Sequence, residues 1–323
     1  QPEGFGKRMI LARAMTDYGT VDSTTGGYIN DLRCIIAKFM GRDEPRYGGS
    51  SDMMNVVRRE NGVWRSVDGG ALRIRIYNGV GTVHLEVHPE MAWRLNAVLA
   101  SLYPTAIPSK FREKPKRARK VKDFELFDKP LPFRIVGALA NLDKGFEIVK
   151  DGYRTNRKYI PNTLMPAHFN DKAAKQQFDD VLRVIGGVFS DNLWRFDYDP
   201  TEVIGEIVCS GCIPDHKSHQ FYPTPESLAQ SVIDLASEGA APGMHWLEPS
   251  AGTGGISDFV PMDAHLTCYE VSDLHCKILE AKGQSRTAGT CYSVQCLDFL
   301  KLAADYRGGG YHRIVMNPPF SEG

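Results

Sequence analysis

The residues best suited to chemistry cluster in the last third of a 323-residue chain. Residues 244–249 read as a short apolar strand running into Ser250-Ala251-Gly252-Thr253-Gly254-Gly255, after which Ile256 onward can begin a helix. Glycines suit such a loop because the backbone must turn tightly and approach a ligand without a Cβ, while a helix start offers unpaired N–H groups. The next strand, residues 266–271, carries Glu270, 18 residues after Gly252, where an acid can accept both ribose hydroxyls of an adenosine cofactor. A third strand, residues 293–296, leads into Leu297-Asp298-Phe299; here an acid can bind an adenine amino group and an aromatic can cover the ring. Residues 314–316 predict a fourth strand, followed by Asn317-Pro318-Pro319-Phe320. In an open parallel sheet all four strand ends face one crevice.

A glycine loop and an acid also suit a nicotinamide dinucleotide fold. The loop here, however, is Gly-x-Gly-Gly preceded by Glu-Pro-Ser rather than G-x-G-x-x-G, so it is not fitted to a pyrophosphate. Taken in order, Phe221-Tyr222-Pro223-Thr224-Pro225, Leu247-Glu248-Pro249-Ser250-Ala251-Gly252-Thr253-Gly254, Tyr269-Glu270-Val271, Leu297-Asp298-Phe299 and Asn317-Pro318-Pro319-Phe320 resemble successive motifs of the N6-adenine DNA methyltransferases. Residues 72–99 and 151–187 also resemble the front domain that precedes such methyltransferases in phage, plasmid and genomic-island genes.

The resemblance implies an α/β fold: a Rossmann-like class I methyltransferase domain, its C-terminal strands absent from this chain, preceded by an α+β N-terminal domain. It implies S-adenosylmethionine as cofactor, with Thr224 and the loop Ser250, Ala251, Gly252, Thr253 and Gly254 holding its methionine part and Glu248 beside its amino group. Glu270 would hold the ribose, Asp298 the adenine N6, and Phe299 would pack on the adenine ring. Asn317, through its side-chain oxygen, and Pro318, through its carbonyl, would accept hydrogen bonds from the amino group of a target adenine. Pro319 would stiffen that turn, and Phe320 would stack on the base once flipped out of DNA. A role in mobile-element modification or restriction protection follows from the same context.

Alternatives stay open on the residues themselves. Similar Asn-Pro-Pro-aromatic turns occur in enzymes that methylate guanine N2 of RNA or glutamine of proteins, and the fold can also serve as a non-catalytic nucleic-acid-binding scaffold. Cysteine-based attack at C5 of cytosine is disfavoured, since no Pro-Cys pair follows the fourth strand.

Composition sets the wider frame. At 42% hydrophobic and 24% charged, the sequence is neither disordered nor fibrous. Net charge is zero, yet residues 220–323 hold 6 basic and 12 acidic side chains against 33 and 27 in the remainder, so the basic front half favours a nucleic-acid partner. No apolar run approaches the ~18 residues of a membrane span and no signal segment opens the sequence. Seven cysteines, an odd count, suggest reduced thiols and a cytoplasmic setting. The start at Gln1 and the end three residues beyond Phe320 suggest a piece of a longer protein.

The elements that must position these residues divide the chain into an α+β front domain (1–108), a basic linker (109–129), a mostly helical extension (130–215) and the methyltransferase domain (216–323). Residues 31–40 carry Leu32, Ile35, Ile36 and Phe39 at helical spacing. Leu72, Ile74 and Ile76 alternate with Arg73 and Arg75 as in a strand, Asn78-Gly79 predicts a turn at positive φ, and residues 82–87 return. Pro89 opens a helix with Met91, Leu95, Val98 and Leu99. The eight Lys/Arg of residues 109–122 form a solvated linker or a phosphate-contacting arm. Tyr153-Arg154-Thr155-Asn156-Arg157-Lys158-Tyr159 either stacks on bases beside phosphates or forms a surface loop. Residues 170–189 predict a helix with Phe178, Val181, Leu182 and Ile185 on one face, ending at Gly186-Gly187. Cys209, Cys212, His216 and His219 have the residue types of a zinc site, but the three-residue gap between the pairs is short for one, so a plain connector and no metal are expected.

Overall fold

The structure is a computed structural model; it describes all residues except 1–3, 7, 17, 106, 115–125, 128–129, 152–153, 214–223, 285–290, 304–309 and 318–323. In chain order its elements are β1 (Met9–Leu11), α1 (Ser23–Phe39), α2 (Gly49–Val57), β2 (Arg65–Val67), β3 (Leu72–Tyr77), β4 (Thr82–Val87), α3 (Pro89–Leu102), α4 (Phe133–Ala140), β5 (Lys144–Asp151), β6 (Arg154–Leu164), α5 (Lys172–Val184), β7 (Val188–Ser190), β8 (Leu193–Arg195), α6 (Thr201–Ser210), α7 (Glu226–Ala236), β9 (His245–Glu248), β10 (His265–Glu270), α8 (Asp273–Gly283), β11 (Tyr292–Cys296), α9 (Phe299–Ala303) and β12 (Arg313–Ile314). Two units interleave along the chain. The first takes Gln1–Leu142, Ala167–Asp179 and Ile204–Ile213; the second takes Asp143–Pro166, Asp180–Val203 and Pro214–Gly323.

The first unit is built on the antiparallel sheet β1-β4-β3-β2. Pairing of Ile74 with Leu85 and alternation along both strands turn Leu72, Ile74, Ile76, Val83, Leu85 and Val87 into one core with Ile29, Ile36, Met53 and Met54. The hairpin forms as expected, but its left-handed position falls at Gly81 (φ 66°) and not at Asn78-Gly79. Gly81 N–H closes a four-residue loop on the Tyr77 carbonyl (2.9 Å), while Asn78 is engaged with the Arg58 carbonyl and the Asn61 side chain.

Helix α1 begins eight residues before the expected start because Asp22 caps it, accepting from Thr25 N–H at 2.9 Å. Its core face is Ile29, Arg33, Ile36 and Ala37; Ile35 lies exposed. Arg33 is fully buried and forms a fork with Asp68 (2.6 and 2.8 Å) and a bond to Ser50.

In the second unit, β5-β6-β8-β7 form an antiparallel sheet. The segment 130–215, expected to be mostly helical, therefore also holds four strands. Their signal was hidden because much of the β5–β6 hairpin is exposed on both faces: Glu147, Ile148, Val149, Asn156, Arg157, Lys158 and Tyr159 are all solvent-facing, so no apolar alternation marks it. Residues 156–159 thus lie on a strand rather than in a loop. Helix α5 follows expectation, with Phe178, Val181, Leu182 and Ile185 buried, and it ends where Gly186 takes φ 91°.

The C-terminal sheet has the order β11-β10-β9-β12, every pair parallel. Helix α8 lies between β10 and β11, and α9 between β11 and β12. The chain thus steps outward from β9 to β11, then returns to the other side of β9 as β12, giving a mixed α/β, Rossmann-like order with a topological switch between β9 and β12. Trp246, Leu266, Cys268 and Val315 form its core with Ile233 and Leu279.

Candidate cofactor and amine site

The loops at the switch point bring part of the expected set together, joining Gly252 to Glu270 and Thr224 to Asn317. Gly252 and Gly254 take φ 56° and 92°, a region that L side chains rarely adopt. A Cβ on Gly254 would meet Asp258 Oδ1 and Leu279 Cδ2, each at 3.2 Å. The loop does not open an α-helix, contrary to expectation: Ser257–Phe259 form one 3-10 turn. Pro261 explains the stop, since it pushes Val260 to extended geometry (φ −62°, ψ 134°).

Glu270, at the end of β10, clamps that loop to the second strand. Its Oε2 accepts from Gly252 N–H at 2.7 Å, and its Oε1 accepts from Val271 and Ser272 N–H, both at 2.8 Å. Burial pushes this carboxyl upward, but His275 and the backbone donors of Ser272 and Gly252 outweigh it and hold the group below the usual carboxylate range. Glu270 is therefore an ionised acid with its geometry fixed. His275 is buried on the first turn of α8 with Nδ1 3.8 Å from Oε1; the only sequence signal for such a neighbour is a helix starting directly after Glu270.

Glu248 behaves in the opposite way. It is 2% exposed at the end of β9, accepts from the Ser257 hydroxyl, and is raised to about 8, chiefly by burial and further by Asp258 and Glu270, against the Ser257 hydrogen bonds. Two acids one strand apart thus differ in protonation at neutral pH. Nothing in the spacing of Ser257 announced its part.

At the end of β11, Asp298 caps α9 through Leu300 N–H (3.0 Å) and pairs with Lys301 (3.2 Å); Lys301, followed by Leu300 N–H, lowers its pKa. Phe299 is half-buried and packs on Tyr269 of β10, ring centroids 5.2 Å apart. The register that pairs Glu270 with Cys296 brings Cys296 to Cys276 of α8, and the two are disulfide-bonded (Cα–Cα 5.8 Å). This corrects the expectation of reduced thiols throughout.

Beyond β12, Asn317 Nδ2 donates to Thr224 Oγ1 at 3.2 Å. Thr224 in turn lies in van der Waals range of a Cβ at Gly255, with its backbone O 3.5 Å away. Entry segment, glycine loop and fourth-strand turn are therefore one cluster. Arg313 braces it by donating to the carbonyls of Ala236 (2.8 Å) and Glu238 (3.1 Å) at the end of α7. Pro318, Pro319 and Phe320 lie outside the described residues, as do His216 and His219.

Cys209 belongs to the first unit's core. Burial pushes its thiol up to about 12 and that of Cys212 to about 11. Among the described residues no group of three His, Cys, Asp or Glu side chains could hold a metal ion, and no helix is long and apolar enough to cross a membrane.

No protein-family model and no curated protein matches the chain. Among solved structures, a protein of Pyrococcus horikoshii described provisionally as an RNA methyltransferase is similar at 24% identity and a TM-score of 0.27, over 34% of this chain and 54% of that one. TrmN from Thermus thermophilus is similar at 25% identity and a TM-score of 0.24, over 32% of this chain and 31% of that one. The chain thus spans about half the length of the first and about a third of the second.

Proposed function

We propose that the parallel sheet binds S-adenosylmethionine and transfers its methyl group to an exocyclic amine of nucleic acid, N6 of adenine in DNA. The observation that carries this reading is the bond between Thr224 and Asn317 beside the glycine loop, because it joins three motifs of the resemblance at the switch point of a parallel sheet, where such folds bind ligands.

The residues present fit the cofactor. Gly252 and Gly254 form a loop at positive φ in which a Cβ on Gly254 would press on Asp258 and Leu279, and Glu270 is an ionised, anchored carboxylate with one lone-pair site beyond its three backbone donors for a ribose hydroxyl. Asp298 and Phe299 would flank the adenine. Glu248 is a buried acid with no cation beside it among the described residues, and an ammonium there would draw it to the carboxylate form. When bound, the cofactor supplies an electrophilic methyl group on a sulfonium with a neutral leaving group.

The chain's own work is positioning. An amine conjugated to a purine is a poor nucleophile, and acceptors at fixed angles localise its lone pair along the line of attack. Thr224 holds the Asn317 amide nitrogen, and the amide oxygen is the acceptor assigned to such an amine. Pro318 would add its carbonyl, Pro319 rigidity, and Phe320 a stacking surface that offsets part of the few kcal/mol needed to extrude a base.

The test is incubation of the full-length protein with labelled S-adenosylmethionine and unmethylated DNA, RNA or protein. Label on adenine N6 of DNA is expected. Label confined to RNA guanine or protein glutamine would overturn the substrate, and absence of cofactor binding would leave a nucleic-acid-binding scaffold in its place.

A further inference from the structure

The outward face of the sheet in the first unit takes no part in the site above. Alternation that sends Leu72, Ile74 and Ile76 to the core leaves Arg73 and Arg75 on the other side, opposite Glu86 and His84 respectively. Arg8, just before β1, and Trp64, just before β2, complete the face. Three guanidiniums gather on one indole: Arg75 lies 4.6 Å, Arg73 4.9 Å and Arg8 5.3 Å from the Trp64 ring centroid.

Three like charges within about 10 Å of each other, as those distances require, repel unless something answers them. Glu86 answers two, pairing with Arg73 at 2.6 Å and Arg8 at 3.0 Å. Arg75 has no carboxylate partner among the described residues; its Nη2 meets His84 Nδ1 at 3.4 Å and its Nε is buried with no hydrogen-bond partner. His84 supplies no negative charge, and burial together with Arg75 and Arg8 lowers its pKa. Among the described residues the face therefore holds two cations in excess and an orphaned donor. Because the indole already fixes the guanidinium planes, an anion would cost them little further freedom.

We propose that this face docks the phosphate backbone of nucleic acid, giving the first unit its own contact with the polymer, separate from the methyl-transfer site. Closely spaced, always-ionised anions match three clustered guanidinium forks, whereas an isolated carboxylate is already supplied by Glu86. The proposal does not depend on the cofactor reading, because it is tested by binding in the absence of cofactor.

The experiment measures binding of a labelled DNA oligonucleotide to the full-length protein by fluorescence anisotropy across a salt series. Arg8→Gln combined with Arg75→Gln should weaken binding at least fivefold at ~100 mM salt and reduce the slope of log K against log salt by about two. Neither substitution strands a buried carboxylate, and an unchanged melting temperature would confirm folding. Arg183→Gln, exposed on α5 and paired with Asp180, is the control for loss of a surface cation elsewhere and should change neither quantity. Trp64→Leu, which keeps every charge but removes the support, should also weaken binding. Equal affinity and slope in the double variant, an equal loss in Arg183→Gln, or displacement of DNA by polyglutamate at matched ionic strength would overturn the assignment.

Discussion

Asn317 and Thr224, 93 positions apart, share a hydrogen bond of 3.2 Å that ties the Asn317 amide nitrogen to the segment entering α7. Asn317→Ala should leave cofactor affinity nearly intact and reduce methyl transfer by two or more orders of magnitude, the scale seen when one preorganised hydrogen-bonding group is removed. Thr224→Val should lower turnover about tenfold by freeing the amide to rotate, and Thr224→Ser should restore it. Single-turnover assays on the full-length protein check both; normal turnover in Asn317→Ala would refute the amine mechanism.

Gly252→Val addresses the cofactor. The φ of 56° at Gly252 excludes a β-branched side chain without strain, and its N–H bond to Glu270 would be lost with the loop geometry. Saturating S-adenosylmethionine should stabilise the native protein by roughly 2.7 kcal/mol at a hundredfold excess over Kd, and the variant should show no such rise in Tm. An undiminished rise would remove the glycine loop from the site.

Glu248 makes stability pH-dependent. Its folded pKa of about 8 lies above the ordinary 4.5, so the folded state holds the proton that the unfolded state releases between those values. Its contribution is thus fully present below pH 4.5 and is lost as pH rises toward 8. Glu248→Gln, which mimics the protonated form, should flatten this fall and be more stable than the parent near pH 9, by an amount on the order of 3–5 kcal/mol. Denaturant melts at pH 5 and pH 9 check it; parallel curves for parent and variant would contradict the buried neutral acid.

Asp68 carries the first unit's buried charge. It answers Arg33, 1% exposed, and lies 3.6 Å from Arg42, 5% exposed. Asp68→Ala would leave both guanidiniums buried and unpaired, and should cost roughly 3–5 kcal/mol in chemical denaturation. A loss below 1 kcal/mol would mean the pair is not structural.

The β5–β6 ribbon presents Arg157 over Phe146 at 4.5 Å and Lys158 beside Glu147 at 3.0 Å, both cations exposed. If the ribbon contacts phosphates, Arg157→Gln with Lys158→Gln should reduce DNA affinity uniformly across sequences and lower the salt slope by about two, with Tm unchanged. An unaltered slope would restrict the ribbon to a structural part.

What the sequence by itself determined is local. Four apolar runs before glycine, acid or Asn turns are enough to predict β9 to β12, because short buried strands and their breakers are written in adjacent residues. The buried face of α5 and the alternation of β3 and β4 were legible for the same reason. Helix starts fared less well: a side-chain cap at Asp22 lengthened α1, and Pro261 cut short the helix expected after the glycine loop. The tertiary structure decided the rest. Pairing of parallel strands is settled by long crossovers, so only the fold could set β12 beside β9 and bring Asn317 to Thr224. Whether an acid is charged depends on burial and on partners from other elements, so Glu248 and Glu270, alike as strand-end glutamates, part only when Ser257, His275 and Gly252 surround them. The same holds for the Cys276–Cys296 bridge and for the gathering of Arg8 and Trp64 beside Arg73 and Arg75: the strand period puts the latter two on one face, but only the fold brings the former two to it.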